Sequence, residues 1–302
     1  MSGSASVVRD HAHTHVVGVY DRDDALISTV TAFLTDALRE GGIAIVIATP
    51  GHCAALDAEL ASEGFPVGAL RRTNRYLTFD AQQTLDAFLR DHHPDRHAFE
   101  AAIGSIIETA AVPGRPVRCF GEMVGLLWDQ GNIEGALELE SMWNDLAEHH
   151  DFALFCGYAM SALEASADAG ARQQMCDEHS EVLFERLFDG EPAALREVRR
   201  FVRDVLHGWG DDQQLADAEL IASELATNAV MHAHSPFRVS LARTASSMTL
   251  AVRDASFAQP RPRAPHTRDG GGRGLALVSE ISSSWGTRAE SDGKTVWAEV
   301  AR

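Results

Sequence analysis

Short apolar runs alternate with longer amphipathic segments through the first half of this chain. Ile43–Ala48 is a continuous apolar run, which is typical of a buried parallel strand, and Asp24–Arg39 repeats its apolar residues with helical periodicity. The same patterns predict further strands over residues 16–20, 75–79, 117–120 and 152–158, and further helices over residues 53–63, 81–90, 99–111 and 136–149. Strands that alternate with helices indicate a parallel sheet with helices on both faces.

The order of elements changes in the second half, where two long helices precede a group of strands. The pattern predicts, in chain order, helices at Ala194–Trp209 and Asp212–Ala233, strands at Phe237–Arg243 and Met248–Asp254, an irregular loop over residues 259–268, a helix at Leu275–Ser282 and a strand at Thr295–Val300. Helices followed by a mostly antiparallel sheet indicate an α/β sandwich.

A segment rich in alanine, serine and aspartate, Ser166–Gly170, separates the two halves, and residues 171–188 have the pattern of a connecting helix. We therefore predict a first domain over residues 10–165, a linker helix over residues 166–189 and a second domain over residues 190–302. A chain of 302 residues is long enough for two domains with separate cores.

Composition and charge narrow the classes of function. Apolar residues make up 45% and charged residues 23% of the chain, as in soluble globular proteins, and no apolar run is long enough to span a membrane. Met1–Asp10 lacks the apolar core of a secretory signal, and the four cysteines form no Cys-x-x-Cys pair, so we expect a cytoplasmic protein with free thiols. The net charge of −18, of which −15 falls in residues 1–170, disfavours direct binding to nucleic acid.

Three short motifs in the second half point to a nucleotide site without a P-loop. Glu224, Asn228 and His232 lie at i, i+4 and i+8, which is one stripe of a helix. Residues 252–256 predict a strand that ends near the carboxylate of Asp254, and residues 270–274 form a glycine-rich loop at the start of a helix, where backbone N–H groups can hold phosphate.

Each motif residue has a chemical role that suits ATP. The Asn228 amide oxygen can be one ligand of an octahedral Mg²⁺, and Glu224 can orient or deprotonate the nucleophile. Asp254 can accept the exocyclic amine of adenine, whereas guanine has a carbonyl there. Taken singly, an acid–amide pair such as Glu224 and Asn228 more often lies on a solvated helix surface, and a run of glycines is more often an ordinary flexible loop. Their joint occurrence in this order favours an ATP site.

These motifs resemble those of the GHKL, or histidine-kinase-like, ATPase superfamily, and most closely those of the bacterial anti-sigma-factor serine kinases. Residues 224–233 are similar to the N box, residues 252–256 to the first adenine-side box, residues 272–278 to the lid box and residues 293–297 to the terminal strand. The resemblance covers roughly residues 190–302. It implies a Bergerat-fold α/β sandwich that binds ATP and Mg²⁺.

The resemblance also implies which residues serve the site and which partners the protein has. Glu224 takes the catalytic position, Asn228 holds the metal, and the nucleotide is bound by Asn228, His232, Asp254, Gly270, Gly271, Gly272, Arg273, Gly274, Leu275 and Thr295. Family members phosphorylate a serine or threonine of a STAS-domain anti-sigma antagonist and sequester an alternative sigma factor, and dimers are plausible by the same resemblance. The usual Asp-x-Gly-x-Gly is Asp254-Ala-Ser-Phe-Ala258 here, so only the adenine contact carries over.

The first half resembles the MEDS sensory domain, on the strength of residues 121–128, 131–132 and 136–146. This resemblance implies a RecA/KaiC-like parallel-sheet domain that senses small organic molecules. Residues 21–25, after the first predicted strand, contain no Gly-Lys pair, so we infer that this half has lost nucleotide hydrolysis. The candidates for ligand contact or relay are His15, Tyr20, Glu122 and Glu140; the alternative is that both glutamates are buried structural acids.

Alternatives to these functions remain open on the sequence. His11, His13 and His15 could bind a metal ion, although a spacing of two is more often a strand surface. The protein could be an ATP-gated binding module without phosphoryl transfer. It could also be a sensor histidine kinase with His179 as acceptor, but no dimerising helical hairpin follows that residue.

Overall fold

The chain forms two compact units, Met1–Val182 and Leu183–Arg302. The computed structural model describes residues 14–111, 113–165, 169–206, 210–244, 246–258, 274–290 and 292–301. Within these ranges no helix combines the length and the apolarity needed to cross a membrane.

The first unit is built on parallel strands. Its strands are β1 (His15–Tyr20), β2 (Ile43–Ala48), β3 (Tyr76–Asp80), β4 (Leu89–Arg90), β5 (His93–Pro94), β6 (Val117–Gly121) and β7 (Ala153–Ala159). Five of them pair in the order β3-β2-β6-β7-β1, with every pair parallel, whereas β4 and β5 form a separate antiparallel pair. All six residues of β2 are buried, as its continuous apolar sequence predicts.

Helices connect the parallel strands of this unit. They are α1 (Asp23–Arg39), α2 (Pro50–Ser62), α3 (Val67–Arg72), α4 (Ala81–Phe88), α5 (Arg96–Phe99), α6 (Ser105–Ala110), α7 (Met123–Asp129), α8 (Ile133–His149), α9 (Met160–Ala165) and α10 (Ala169–Asp177). In α1, Leu26, Val30 and Phe33 repeat along one face and are buried, which is the periodicity that predicts it.

Three predicted helices differ from the structure. The helix expected over residues 81–90 ends at Phe88, and its last two residues form β4. The helix expected over residues 99–111 is divided by a π-helical turn, Glu100–Gly104, between α5 and α6. The connecting helix expected over residues 171–188 ends at Asp177, and strand β8 (Glu181–Phe188) follows it. The residues of β8 include valine and two phenylalanines, which favour strands. The strands that pair with β8 are distant in sequence, so the periodicity within a short window predicts a helix that is too long.

The described part of the second unit combines a mostly antiparallel sheet with three helices. After β8 come α11 (Ala194–Leu206), α12 (Asp212–Ala233), β9 (Phe237–Arg243), β10 (Ser247–Asp254), α13 (Gly274–Ile281), β11 (Ser284–Glu290) and β12 (Gly293–Ala301). The strand order is β8-β9-β10-β12-β11, and the pairs β9–β10, β10–β12 and β12–β11 are antiparallel. This is the predicted sandwich, with β11 as a strand that the sequence pattern did not indicate.

Helix α12 carries the first nucleotide motif, and its ends are well defined. Asp211 caps it by accepting from the Gln214 backbone N–H while the Gln214 side chain accepts from Asp211 N, which is a capping box. His234 follows the last turn in a left-handed conformation, with φ at 50°. The face of α12 toward the sheet is rich in alanine, including Ala222 and Ala226, so the helix packs closely on the strands.

Candidate functional site

The structure places Gly274, the last glycine of the glycine-rich motif, against the acid of the helical motif. Glu224 is half-buried on α12, and Gly274 opens α13, which packs on α12. A Cβ atom added at Gly274 would lie 2.2 Å from Glu224 Oε2, closer than two such atoms can approach. The backbone of α13 therefore reaches the Glu224 carboxylate because residue 274 has no side chain.

Asn228 lies one turn further along the same face of α12 and has an unsatisfied amide. Its Nδ2 atom is buried and has no hydrogen-bond partner in the described part of the chain. Buried amides almost always have partners, and exceptions concentrate where a ligand or ion binds. The stripe predicted from Glu224 and Asn228 is thus present, and its second residue has unused hydrogen-bonding capacity.

Asp254 ends strand β10 in a buried ion pair. Its Oδ1 accepts from Lys294 Nζ at 2.7 Å and from the Ser256 backbone N–H at 2.8 Å. The side chain of Asp254 is only 2% exposed, and that of Lys294 only 4%. Asp254 and Lys294 are cross-strand partners in the β10–β12 register, so their side chains share one face of the sheet. Sequence reasoning missed Lys294, because only the register places it beside Asp254.

Thr295 does not join this group. Neighbouring residues of a strand point to opposite faces, so Thr295 faces away from the Asp254–Lys294 pair, and its hydroxyl donates to Glu290 Oε1 at 2.9 Å. Lys294, not Thr295, is therefore the residue of β12 that contacts Asp254, and the nucleotide role of Thr295 stays a prediction.

The other predicted nucleotide residues are placed as follows. His232 is exposed on the last turn of α12, and Leu275 is buried at the start of α13. Gly270, Gly271, Gly272 and Arg273 lie outside the described residues.

In the first unit, the four sensory candidates separate into two clusters. Tyr20 and Glu122 lie at the carboxyl ends of β1 and β6. Glu122 Oε2 accepts from the Thr49 backbone N–H at 2.8 Å, and its Oε1 contacts His52 Nδ1. The Tyr20 ring meets the His52 ring edge-on, with centroids 6.4 Å apart. Ligand sites of parallel α/β sheets form at this edge, as predicted for Glu122.

His52 is a member of this cluster that the sequence did not reveal. Its hydrogen bond to Glu122 raises the pKa of the imidazole above its usual value, although partial burial opposes the shift. Burial, together with the nearby carboxylate of Glu122, raises the pKa of the Tyr20 phenol. The cluster therefore places an imidazole held by a carboxylate next to a phenol, and the pKa values of His52 and Tyr20 are both raised.

His15 and Glu140 belong to the second cluster, which is buried inside the unit. Glu140 is fully buried; its Oε1 accepts from the Tyr158 hydroxyl at 2.7 Å, and its Oε2 lies 3.2 Å from His15 Nε2. Burial alone raises the pKa of Glu140, but the neighbouring His179 and His15 outweigh it and hold the pKa below its usual range. Burial, with a contribution from His179, lowers the pKa of His15.

The structure argues against His179 as a phosphoacceptor. It follows α10 instead of lying on a helix, and its side chain is fully buried in the second cluster. A phosphoacceptor histidine must be reached by the γ-phosphate of bound ATP, and this imidazole is enclosed. The helical position that the sequence suggested for His179 is therefore wrong.

Solved structures similar to this chain are related at low sequence identity. The RsbU and RsbW domains of Rv1364c from Mycobacterium tuberculosis are 21% identical over 39% of this chain and 33% of that chain, with a TM-score of 0.31, so this chain spans about a third of that protein's length. A KaiC-like protein, PH0186, from Pyrococcus horikoshii OT3 is 11% identical over 81% and 87% of the two chains, with a TM-score of 0.48. The uncharacterized protein PH0321 from Pyrococcus horikoshii, in complex with an unknown peptide, is 13% identical over 61% and 81%, with a TM-score of 0.44.

Comparison at the level of families is more informative. No curated protein matches the chain significantly. The model of the MEDS domain, described as the methanogen/methylotroph, DcmR sensory domain, matches residues 14–173, and the model of the histidine kinase-like ATPase domain matches residues 188–300. Both predicted resemblances and the predicted α/β fold class are confirmed. The chain therefore belongs to the MEDS sensory-domain family and carries a histidine kinase-like ATPase domain after the sensory domain.

Proposed function

We propose that this protein is an ATP-dependent serine/threonine kinase and anti-sigma factor whose output is regulated by its MEDS domain. The observation that carries the proposal is the contact of the Gly274 backbone with Glu224, one helical turn from the buried, unsatisfied amide of Asn228. This contact joins the two motifs that the family uses for nucleotide binding. The family match to the ATPase domain supports the same reading.

The residues of this site fit ATP with Mg²⁺. Asn228 offers the amide oxygen for the metal, and the backbone N–H groups of Gly274 and Leu275, at the start of α13, are the proposed phosphate donors. Both hydrogen bonds to Asp254 end on Oδ1, so Oδ2 is the atom proposed to accept the adenine amine. Bound ATP would supply the transferable phosphoryl group, with Mg²⁺ neutralising its charge.

Glu224 is the proposed catalytic residue. Its carboxylate lies at the first turn of α13, which is the end of a helix that favours anions such as phosphate. From there it can accept the proton of an incoming serine or threonine hydroxyl or orient that hydroxyl. The acceptor proposed from the family resemblance is a STAS-domain anti-sigma antagonist, and the sequestered partner is an alternative sigma factor.

Lys294 gives this site a feature of its own. A buried carboxylate without a partner is unfavourable, and the Lys294 ammonium offsets the charge of Asp254. It also holds the carboxylate in one orientation through Oδ1. We infer that Lys294 positions Asp254 for adenine and does not itself bind phosphate.

Phosphoryl transfer tests the proposal. Purified full-length protein is incubated with labelled ATP, Mg²⁺ and the STAS proteins that it captures from its native cell, and the variants Glu224→Ala and Asn228→Ala are compared with wild type. We expect Glu224→Ala to bind ATP but to transfer about 10²–10⁴-fold more slowly. Asn228→Ala should lose Mg²⁺-dependent ATP binding. Glu219→Ala is the matched control, since Glu219 lies on the same helix but pairs with Arg203 on the surface.

The outcomes separate the proposal from its alternatives. Acid-stable phosphate on the partner supports a serine/threonine kinase, whereas acid-labile phosphate on this chain would indicate a histidine kinase. ATP binding without transfer to any partner would reduce the protein to an ATP-gated binding module. Absence of ATP binding by the folded protein would refute the nucleotide site itself.

A further inference from the structure

Four potential metal ligands meet inside the sensory unit. They are His15 on β1, Glu140 on α8, Cys156 on β7 and His179 after α10. All four residues are buried, and one donor atom from each lies within 4.8 Å of the other three. Two imidazoles, a thiol and a carboxylate are an unusual group to enclose without a common partner, because each of them is polar.

The hydrogen bonds around the cluster set the imidazole tautomers. Asn144 Nδ2 donates to the Glu178 carbonyl, which turns its Oδ1 toward His15 Nδ1 at 2.7 Å. His15 therefore donates from Nδ1. His179 Nδ1 is 2.5 Å from the Met175 carbonyl oxygen, which can only accept. In neutral imidazoles with these bonds, both Nε2 atoms carry a lone pair and face the cluster.

This arrangement is the one that metal-binding histidines use. A ligating histidine commonly donates its second ring N–H to a carbonyl or amide oxygen, which orients the lone pair of the other nitrogen toward the metal. His179 Nε2 is buried and has no hydrogen-bond partner among the described residues, although it lies 3.4 Å from Glu140 Oε2. An unpartnered lone pair beside a carboxylate oxygen is unfavourable unless a cation lies between the two atoms.

The distances within the cluster suit a tetrahedral ion. Glu140 Oε2 is 3.2 Å from His15 Nε2 and 3.5 Å from Cys156 Sγ, and His15 Nε2 is 3.2 Å from that sulfur. Zinc bonds of about 2.0–2.3 Å in a tetrahedron place neighbouring ligand atoms roughly 3.3–3.8 Å apart. The four donors therefore need only small movements to surround one ion.

The charges of the cluster also favour a divalent ion. One carboxylate and one thiolate would cancel two positive charges, so the buried centre would be neutral. Within the described residues, no lysine or arginine pairs with Glu140, and the nearest basic groups are the imidazoles of His15 and His179. A ligand set of imidazole and thiolate selects zinc-type transition ions over Mg²⁺ or Ca²⁺.

We propose that His15, Glu140, Cys156 and His179 form a binding site for a zinc-type divalent transition-metal ion in the sensory unit. Tyr158 supports the site from outside, because its hydroxyl holds Glu140 Oε1 and turns Oε2 toward the other ligands. The ion would join β1, α8, β7 and the segment after α10, which are separate in sequence. This site is independent of the nucleotide site and of its proposed activity.

Metal content and cobalt spectroscopy test the proposal on the full chain. The protein is produced without an affinity tag, stripped with a chelator, and titrated with Zn²⁺ or Co²⁺. We expect one ion per chain, a higher melting temperature with Zn²⁺, and, with Co²⁺, tetrahedral visible bands plus a near-ultraviolet thiolate-to-cobalt band. Circular dichroism before and after stripping shows whether the protein stays folded.

Matched variants locate the ion. Cys156→Ser should abolish the thiolate band and His179→Ala should weaken binding at least 10-fold, whereas Cys119→Ser and His149→Ala should keep the wild-type spectrum. Cys119 is the control because it is equally buried, on β6, but outside the cluster, and His149 is exposed. Tyr158→Phe should weaken binding about 10–100-fold while keeping the thiolate band, as a supporting residue does.

Two results would overturn the proposal. The first is a folded wild-type protein that takes up no stoichiometric Zn²⁺ or Co²⁺. The second is a cobalt spectrum without a thiolate band, or one that survives unchanged in folded Cys156→Ser protein, because the ion would then be bound elsewhere. If Cys156→Ser does not fold, the metal stoichiometry and the thiolate band of the wild-type protein still decide whether the proposal holds.

Discussion

The buried pair of Asp254 and Lys294 allows a quantitative test of the inference that Lys294 offsets the charge of Asp254. Lys294→Met keeps an unbranched apolar side chain, one atom shorter than lysine, but removes its charge. Among the described residues, the buried Asp254 carboxylate then has only the Ser256 backbone N–H as a donor. Removing one partner of a buried ion pair costs about 3–5 kcal/mol, mainly because the other charge is left without compensation.

A neighbouring pair provides the control. Arg253, the preceding residue of β10, pairs with Asp292 at 2.6 Å, but the two side chains are 36% and 69% exposed. Solvent screens such a pair, so Arg253→Met should cost only about 0–1 kcal/mol. For a unit of this size, each kcal/mol shifts the melting temperature by about 4 °C. Lys294→Met should therefore lower it by roughly 12–20 °C, and Arg253→Met by no more than about 4 °C.

Calorimetry of the full chain measures both variants, and the transition of the second unit is the one expected to move. The double variant Asp254→Asn with Lys294→Met should recover much of the loss, because neither group is then charged. Equal shifts for Lys294→Met and Arg253→Met would refute the reasoning. So would strictly additive effects of the two changes in the double variant.

Two further predictions concern the first unit. The Glu122 hydrogen bond should keep the pKa of His52 above 6.5. The stabilisation from this bond is therefore complete below pH 6.5 and is lost as the pH rises through the higher folded-state pKa. NMR titration measures the pKa of His52, and an unchanged value in Glu122→Gln would contradict the assignment. Gly125→Ala should destabilise the protein by about 1–3 kcal/mol, because its Cβ would lie 2.4 Å from the Gly157 carbonyl oxygen. Gly51→Ala, which meets nothing within 4 Å, should be close to neutral in the same urea unfolding measurement.

Local sequence was sufficient wherever an element carries its own signal. Helix α12 and strand β9 have their predicted bounds, Asp212–Ala233 and Phe237–Arg243. The helix is marked by a capping box at its start and an apolar stripe along its length. The strand is marked by the alternation of apolar and polar residues from Phe237 to Leu241. The Glu224–Asn228 pair was predictable for the same reason, since one helix positions both residues.

Features that depend on pairing were not predictable. Strand β8 was interpreted as helix because a strand is stabilised by partners that are distant in sequence. The sequence does not reveal Lys294 as the partner of Asp254, because one position in the β10–β12 register moves a side chain to the other face. His52 escaped notice because its partner, Glu122, is 70 residues away.

The sequence by itself determined that this chain has two α/β domains and a nucleotide motif of the histidine-kinase type, because periodicity, helix caps and short motifs act over a few residues. Only the tertiary structure decided which side chains share a site. His15 and Cys156 are 141 positions apart, yet their donor atoms lie 3.2 Å from each other because β1 pairs with β7. Strand pairing sets such distances, and a pattern read along one segment carries no information about them.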